Sequence, residues 1–367
     1  MADFDVIIVG ARVAGSTLAT LLGEAGHRVL LLDRAHFPSD TLSTHFFRAP
    51  ALRAFDKIGV RQQVEDTAPK MTIDYNVVDG IAFPEALDEP EDYPYYLCVR
   101  RITLDDILTR RAGACQGVNF HQGAIAGSLL WQDGRVIGLE WKENGQTFQA
   151  SARAVIGADG VRSFLARQVE PEVEHEQPVQ RAMYFAYFHR VEPIEGPAAE
   201  FLFQGNSLVY CFPTDGDLSL LAVSIPIDDF DEFRSDPEGN LMDALQARAT
   251  LAPRLHGTER VGPVLGTGSI PCFRRVPFGP GWALVGDAAM TLDPWSGQGI
   301  DQATSHSVIL AQHLDEFLNE AKDWDRAMTG YHQARNEFSR RAYRQTSTFC
   351  EDFRPMTRQA LERRGLI

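Results

Sequence analysis

Residues 4–9, Phe-Asp-Val-Ile-Ile-Val, are an apolar run that ends at Gly10 and gives way at once to a helix-period pattern. Few folds accept that order. A short run with little alternation predicts a strand buried on both faces of a parallel sheet. Over residues 14–24, Leu18, Leu21 and Leu22 share one helical face, and Gly26 ends the helix. Residues 28–32 then read as a second buried strand, stopped by Asp33. The whole is a βαβ unit of about 30 residues. At its turn stands Gly10-Ala11-Arg12-Val13-Ala14-Gly15-Ser16. Gly10 makes the tight turn, and Gly15, after the small Ala14, lets the helix pack close to the strand. The helix N-terminus presents unpaired N–H groups and a positive dipole end, which suits a dinucleotide pyrophosphate. Asp33, followed by Arg34, is placed for a carboxylate to accept hydrogen bonds from ribose hydroxyls. Arg12 replaces the second glycine of the usual pattern. It makes close backbone approach harder, yet a guanidinium beside a pyrophosphate is electrostatically favourable.

A chain of 367 residues has room for two packed cores. Its formal net charge of −15 argues against nucleic acid or an anionic membrane surface as a partner. The five cysteines are scattered without a C-x-x-C pair, which suits reduced thiols and neither a disulfide framework nor a zinc site. No stretch approaches the roughly 18 apolar residues of a membrane span, and the run at residues 6–10 lacks the basic flank of a signal peptide. The expectation is a cytoplasmic enzyme, monomer or homodimer, with no metal.

Helices are predicted at 50–58 and 103–112, with a β-rich piece at 71–83. Residues 117–158 alternate strands and turns and close on a buried strand at 154–157. Strand signals dominate 180–225, at 183–189, 207–212 and 218–225. From about residue 296 the pattern is helical. The fold class expected is α/β: a Rossmann-like, glutathione-reductase-type nucleotide-binding domain, an interposed antiparallel β-sheet domain, and a helical C-terminal tail.

Two more motifs follow buried strands. The first is Ala154-Val155-Ile156-Gly157-Ala158-Asp159-Gly160, with Arg162 and Arg167 after it. The second is Val285-Gly286-Asp287-Ala288-Ala289, followed by Asp293-Pro294-Trp295-Ser296-Gly297-Gln298-Gly299-Ile300. Asp287 at a strand end suits a polyol, and Gly297-Gln298-Gly299-Ile300 opens a helix whose amides can stabilise developing negative charge.

In this order and at these separations the three motifs resemble the class A FAD-dependent monooxygenases, the para-hydroxybenzoate hydroxylase-like superfamily that also holds flavin halogenases and geranylgeranyl reductases. The resemblance covers nearly the whole chain. It implies FAD held by the Gly10 turn, by Asp159-Gly160, and by Gly286-Asp287 on the ribityl chain. Arg101, or alternatively Arg100, would contact the phosphates, and the segment Asp40-Thr41-Leu42-Ser43-Thr44-His45 would run beside the flavin. It divides the chain into an FAD domain (1–70, 96–178 and 270–320), a substrate domain (71–95 and 179–269) and C-terminal helices (321–367). It also implies NAD(P)H as a transient reductant, O₂ as co-substrate, and hydroxylation of an aromatic or polyketide-like small molecule through a flavin C4a-hydroperoxide. His45, Pro294 and Tyr184 are candidate catalytic residues. Tyr184, Phe185, Tyr187 and His189, of which one alternating set would face the flavin, are candidates for the pocket wall together with Phe203, Tyr210 and Phe212.

The same motifs serve a reductase of the geranylgeranyl type, which is the main alternative. Halogenases of the superfamily pair a W-x-W-x-I-P segment with a lysine; no such segment occurs, and Lys57 and Lys70 stand in unsuitable surroundings. A non-catalytic flavin-binding role would fit Arg12, and also Met290 where relatives place a histidine. The basic tail residues Arg335, Arg340, Arg341 and Arg344 are expected on solvated helix faces that pair with local acids.

Overall fold

The computed structural model describes residues 2–87, 92–189 and 191–367. Residues 88–91, part of the segment 71–95 expected in the substrate domain, lie outside these. Five parallel strands form the first layer, in the order Trp282–Leu284, Gln146–Gly157, Phe4–Val9, Val29–Asp33, Val118–Gln122. The central strands carry Ile7, Ile8, Leu30, Leu31, Val155 and Ile156, all fully buried. Such side chains contribute roughly 1.5–3 kcal/mol each on burial, which is why a run without alternation sits mid-sheet. Helices Val13–Glu24, Arg101–Gly113 and Gly299–Leu318 cover one side. On the other side lies the hairpin Ile125–Gln132/Arg135–Glu143, which pairs with the first half of Gln146–Gly157.

The second layer is a seven-stranded sheet built from two separated segments. Its order is Glu259–Thr267, Arg181–His189, Leu218–Pro226, Ser207–Thr214, Ala198–Gln204, Ile73–Val78, Ile81–Ala86. All neighbours are antiparallel except Ala198–Gln204 and Ile73–Val78, which run parallel. The strands at 198–204 and 259–267, and the two helices at 230–246 that pack on this sheet, are absent from the sequence expectation. Helices Phe230–Ser235 and Pro237–Gln246 bring Phe233, Leu241 and Leu245 onto the outer face of the sheet, over Tyr184, Val209 and Val223. Leu218–Pro226 is therefore covered on both faces, which accounts for its near-continuous apolar run Leu-Ser-Leu-Leu-Ala-Val-Ser-Ile. The inner face, with Phe185, Tyr187, Phe212 and Leu220, packs on Phe46, Trp295 and Phe353.

A small sheet of Val173–Gln177, Cys272–Arg275 and Met290–Thr291 lies between the layers. The last helices, Trp324–Phe349 and Arg354–Arg363, bind both layers together. Arg335 is fully buried there, donating to the Arg275 carbonyl at 2.9 Å and reaching Glu174 at 3.4 Å. It departs from the expected solvated face, whereas Arg340, Arg341 and Arg344 stay exposed. All five cysteines are buried and unpaired. No helix among the described residues is long and apolar enough to cross a membrane.

Candidate active site

The three motifs meet at the C-terminal edge of the parallel sheet. Gly10 N–H donates to the Leu32 carbonyl at 2.7 Å, Ala158 N–H to Val9 at 2.8 Å, and Val285 N–H to Gly157 at 2.9 Å. The turns touch because they lack side chains. A Cβ on Gly10, whose φ is +99°, would stand 2.5 Å from the Ala158 carbonyl oxygen, and one on Gly15 would stand 1.7 Å from the Gly10 oxygen. Gly286 (φ +62°) brings its own Cβ position to within 3.1 Å of Ala14 Cβ, and Ser307 Oγ donates to the Ala14 carbonyl at 2.9 Å. Two helix N-termini, at Val13 and Gly299, are thereby directed at one space. Neither carries a side-chain cap, so their first-turn N–H groups are free for a ligand. Beyond Gly299 the Cβ position is open.

Carboxylates line this space. Asp33 is nearly buried and already accepts from Ala11 N–H at 2.7 Å and Ala35 N–H at 2.8 Å, which orients it; Arg34 beside it is exposed. Asp287 is accessible to water yet surrounded by protein, as a group facing an internal cleft is. Its carboxyl is raised to about 6 by desolvation, opposed by the Arg101 cation. Asp159 accepts from Phe164 N–H at 2.6 Å, while its Oδ1 has no partner and burial raises its pKa. Gly160 follows at φ +76° with open space beyond it.

The Arg12 guanidinium is taken up by protein groups. It binds Asp105 at 2.5 Å, the Ser39 carbonyl at 3.1 Å and the Asp40 carbonyl at 3.0 Å. The fully buried Asp105 also takes Arg101 at 2.9 Å. Arg12 thus anchors the 39–40 segment to the first turn. Both alternates act on His45, and Arg101 is the one whose charge also reaches Asp287. Arg100 is held by Asp215, which accepts from its backbone N–H at 2.7 Å and from Thr103 Oγ at 2.6 Å.

Two candidate catalytic residues change role. Tyr184 lies on the outer face of its sheet, stacked on Phe233 at 4.4 Å between ring centres. Side chains alternate along a strand, so Phe185 and Tyr187 face inward and Tyr184 cannot. His45 (φ +60°) is fully buried, 2.6 Å from Tyr187 Oη and stacked on that ring. Burial first, then Arg101, lowers its pKa to about 3, so it is neutral at ordinary pH and holds Tyr187 in place. Thr44 before it is half-buried. Tyr210 donates to the Trp295 carbonyl at 2.7 Å, and Trp295 Nε1 donates to Thr346 at 3.2 Å. Lys57 is exposed and Lys70 is paired with Glu65 at 2.8 Å.

A cavity of about 260 Å³ opens between the sheet and the turn Pro294–Ser296. Phe201, Phe203, Leu208 and Trp295 form its apolar wall, and Arg48, Asp74, Asn76 and Gln298 its polar one. None of Arg48, Asp74 and Asn76 was singled out from the sequence. The signal available was weak: Asp74 and Asn76 share one strand face only once the register of residues 73–78 is known. A separate depression of about 470 Å³, lined by Arg162, Arg167 and Arg275, lies on the outside of the Asp159-Gly160 turn.

The family model for the FAD binding domain matches residues 3–231 and 275–346. The chain is similar to a 1H-pyrrole-2-carbonyl-[peptidyl-carrier protein] brominase of Pseudoalteromonas luteoviolacea, 24% identical over 90% of this chain and 81% of that one. It is 26% identical to digeranylgeranylglycerophospholipid reductase 1 of Methanopyrus kandleri, over 87% and 82%. To kynurenine 3-monooxygenase of Salinispora tropica it is 25% identical, over 90% and 76%. Among solved structures, the myxobacterial chondrochloren halogenase CndH superposes with a TM-score of 0.85 at 21% identity, covering 94% of this chain and 82% of the other.

Proposed function

The chain belongs to the FAD-binding-domain family and is an FAD-dependent oxidoreductase, and on that premise we propose that it is an NAD(P)H-using monooxygenase of a small aromatic molecule. The observation that carries this reading is the cavity beside Pro294–Ser296, about 260 Å³ and walled by Phe201, Phe203 and Trp295. That volume lies at the lower end of small-molecule sites, which suits one or two fused rings and not a long isoprenoid chain. Among the described residues no lysine lines it, which counts against the halogenase chemistry of several relatives.

The free amides at Val13 and Gly299, the glycine contacts, and the enclosed Asp287 fit a dinucleotide cofactor. In this reading Gly10, Ala14 and Gly15 receive the pyrophosphate, with Arg101 adding positive charge and Arg12 holding the loop beside it. Asp33 and Arg34 flank the adenosine ribose, Asp159 and Gly160 close the cofactor's middle, and Gly286-Asp287 take the ribityl hydroxyls. Thr44, Pro294, Gly297, Gln298, Gly299 and Ile300 border the ring, the helix amides offsetting negative charge at its edge. When bound, FAD supplies the redox chemistry, taking two electrons from NAD(P)H and passing one oxygen atom of O₂ to an electron-rich carbon. The protein's share is to orient the substrate on Phe201 and Trp295 and to keep water out. The basic depression at Arg162, Arg167 and Arg275 is suited to the nicotinamide cofactor's phosphates. The sheet segments 71–95 and 179–269 form the substrate domain, and segments 1–70, 96–178 and 270–320 the FAD domain, with 321–367 as clamp.

The test is oxygen consumption during NADPH oxidation by the FAD-loaded protein, with product analysis after supply of a panel of phenols and arylamines. Hydroxylated product at one equivalent per O₂ is expected. Saturated product formed anaerobically would instead identify a reductase.

A further inference from the structure

We infer that Asp74 is the group that selects the substrate: a one- or two-ring aromatic bearing an N–H or O–H donor, held by the Asp74 carboxylate while its ring lies on Phe201, Phe203 and Trp295. The inference rests on the reading of the cavity as the substrate pocket. Asp74 and Asn76 lie on the strand Ile73–Val78, two residues apart and so on one face, and both line the cavity. Asn76 Nδ2 donates to Asp74 Oδ1 at 3.2 Å, and among the described residues Oδ2 meets no hydrogen-bond donor. That oxygen is left without a protein donor beside the aromatic wall of Phe201, Phe203 and Trp295.

The neighbouring charges do not neutralise it. Arg48 lines the same cavity, but its guanidinium binds Asp301 and the Gly297 carbonyl at 3.3 Å and the Ser296 carbonyl at 3.2 Å, and it lies over the Phe46 ring. Arg364, from the last helix, is paired with Glu85, the residue directly across the sheet from Asp74. From the turn and from helix Trp324–Phe349 come only the neutral groups Trp295, Ser296, Gln298, Gln345 and Thr346. Each nearby cation thus has its own carboxylate, and Asp74 is left with Asn76 alone. Desolvation raises its carboxyl to about 6, against the opposing pull of Arg48, Asn76 and Arg364. A half-buried carboxylate without a cation is costly in the empty pocket and gains most from a ligand that donates to it. An anionic aromatic would meet the like charge of Asp74 and bind more weakly than a donor of the same shape.

The test uses the FAD-loaded protein and three probes of one shape: 1-naphthylamine, 1-naphthol and 1-naphthoate. Binding is followed by perturbation of the flavin absorption and by calorimetry. The amine and the phenol should bind at least ~10-fold more tightly than the carboxylate, the factor that one charge-assisted hydrogen bond gives. That preference should shrink as the pH falls through about 6, the value at which Asp74 takes up a proton. Asp74→Asn should retain FAD and reduce the preference, since its amide oxygen still accepts but carries no charge, and Asp74→Leu, which has no acceptor, should lose it to within about twofold. Equal discrimination by wild type and both variants, or tighter binding of the carboxylate, would overturn the assignment. So would a protein that binds none of the probes while still oxidising NADPH, which leaves the oxidoreductase reading intact. Probe binding with the stated preference but no O₂-coupled product would instead remove the monooxygenase reading and keep Asp74 as the selecting group.

Discussion

At the scale of single residues, Asp287 carries the sharpest expectation. A carboxylate enclosed by protein but facing a cleft has lost much of its hydration and waits for hydroxyl donors. Asp287→Asn should weaken FAD binding by about 10- to 100-fold, the worth of one or two charge-assisted hydrogen bonds, as measured by titration of apoprotein with FAD. The apoprotein should respond in the opposite sense. Because the folded pKa is raised from 3.8 to about 6, the folded state holds more protons than the unfolded chain between those values. Wild-type stability therefore falls as pH rises through that window. The Asn variant should melt higher than wild type above pH 6 and lose that advantage below pH 4, and equal melting temperatures at every pH would place Asp287 in water. His45 shows the reverse shift, with its pKa lowered to about 3. The unfolded chain protonates first, so neutral His45 favours folding at neutral pH and that contribution is lost as pH falls from 6.5 toward 3.

At the scale of elements, the helix N-termini at Val13 and Gly299 look alike in sequence but differ in what glycine does there. Gly15 is closed against the Gly10 carbonyl, whereas Gly299 faces open space with no positive φ. Gly15→Ala should cost about 3 kcal/mol or more, because two backbones must separate. Gly299→Ala should leave apoprotein stability unchanged or raise it by about 0.4–1 kcal/mol, yet lower FAD affinity by placing a methyl group where the proposed binding mode puts the ring edge. Thermal melts of the apoproteins with FAD titrations beside them separate the two effects, and unaltered FAD affinity in Gly299→Ala would move the ring away from that helix. These elements were legible because their signals are local: buried strand, glycine turn, helix period. The helices at 230–246 were not, because their apolar residues complete a face of a sheet whose strands lie elsewhere in the chain.

At the scale of the whole molecule, the two layers are held together by buried polar clamps. Arg181, nearly buried, donates to Ser224 Oγ at 2.8 Å, the Asn206 carbonyl at 2.6 Å and the Cys350 carbonyl at 3.2 Å, and lies 3.8 Å over the Phe353 ring. It joins the seven-stranded sheet to the segment before the last helix. Arg181→Leu should destabilise the protein by about 2–4 kcal/mol, since several buried acceptors lose their donor. It should also make the chain after Phe349 susceptible to limited proteolysis before the parallel sheet opens. A single cooperative transition with no early cleavage would show that the clamp is not needed to seat that helix.

The sequence by itself determined the nucleotide-binding half. Each of its parts, from Gly10 through Asp33 and from Gly157 through Gly160 to Gly286-Asp287, is a strand end followed by a turn, and backbone sterics write such features into consecutive residues. It also supplied the class of cofactor, through the resemblance that the three turns in that order carry to the FAD-dependent monooxygenase superfamily. Only the tertiary structure decided which faces the side chains occupy. It turned Tyr184 outward by the alternation of its strand, drew the Arg12 guanidinium onto Asp105, and neutralised His45 by burial. It also set Asp74 and Asn76 opposite Trp295, residues far apart in the chain. Register, burial and the pairing of distant charges are properties of packing, and they are fixed only when strands from separate segments share one sheet.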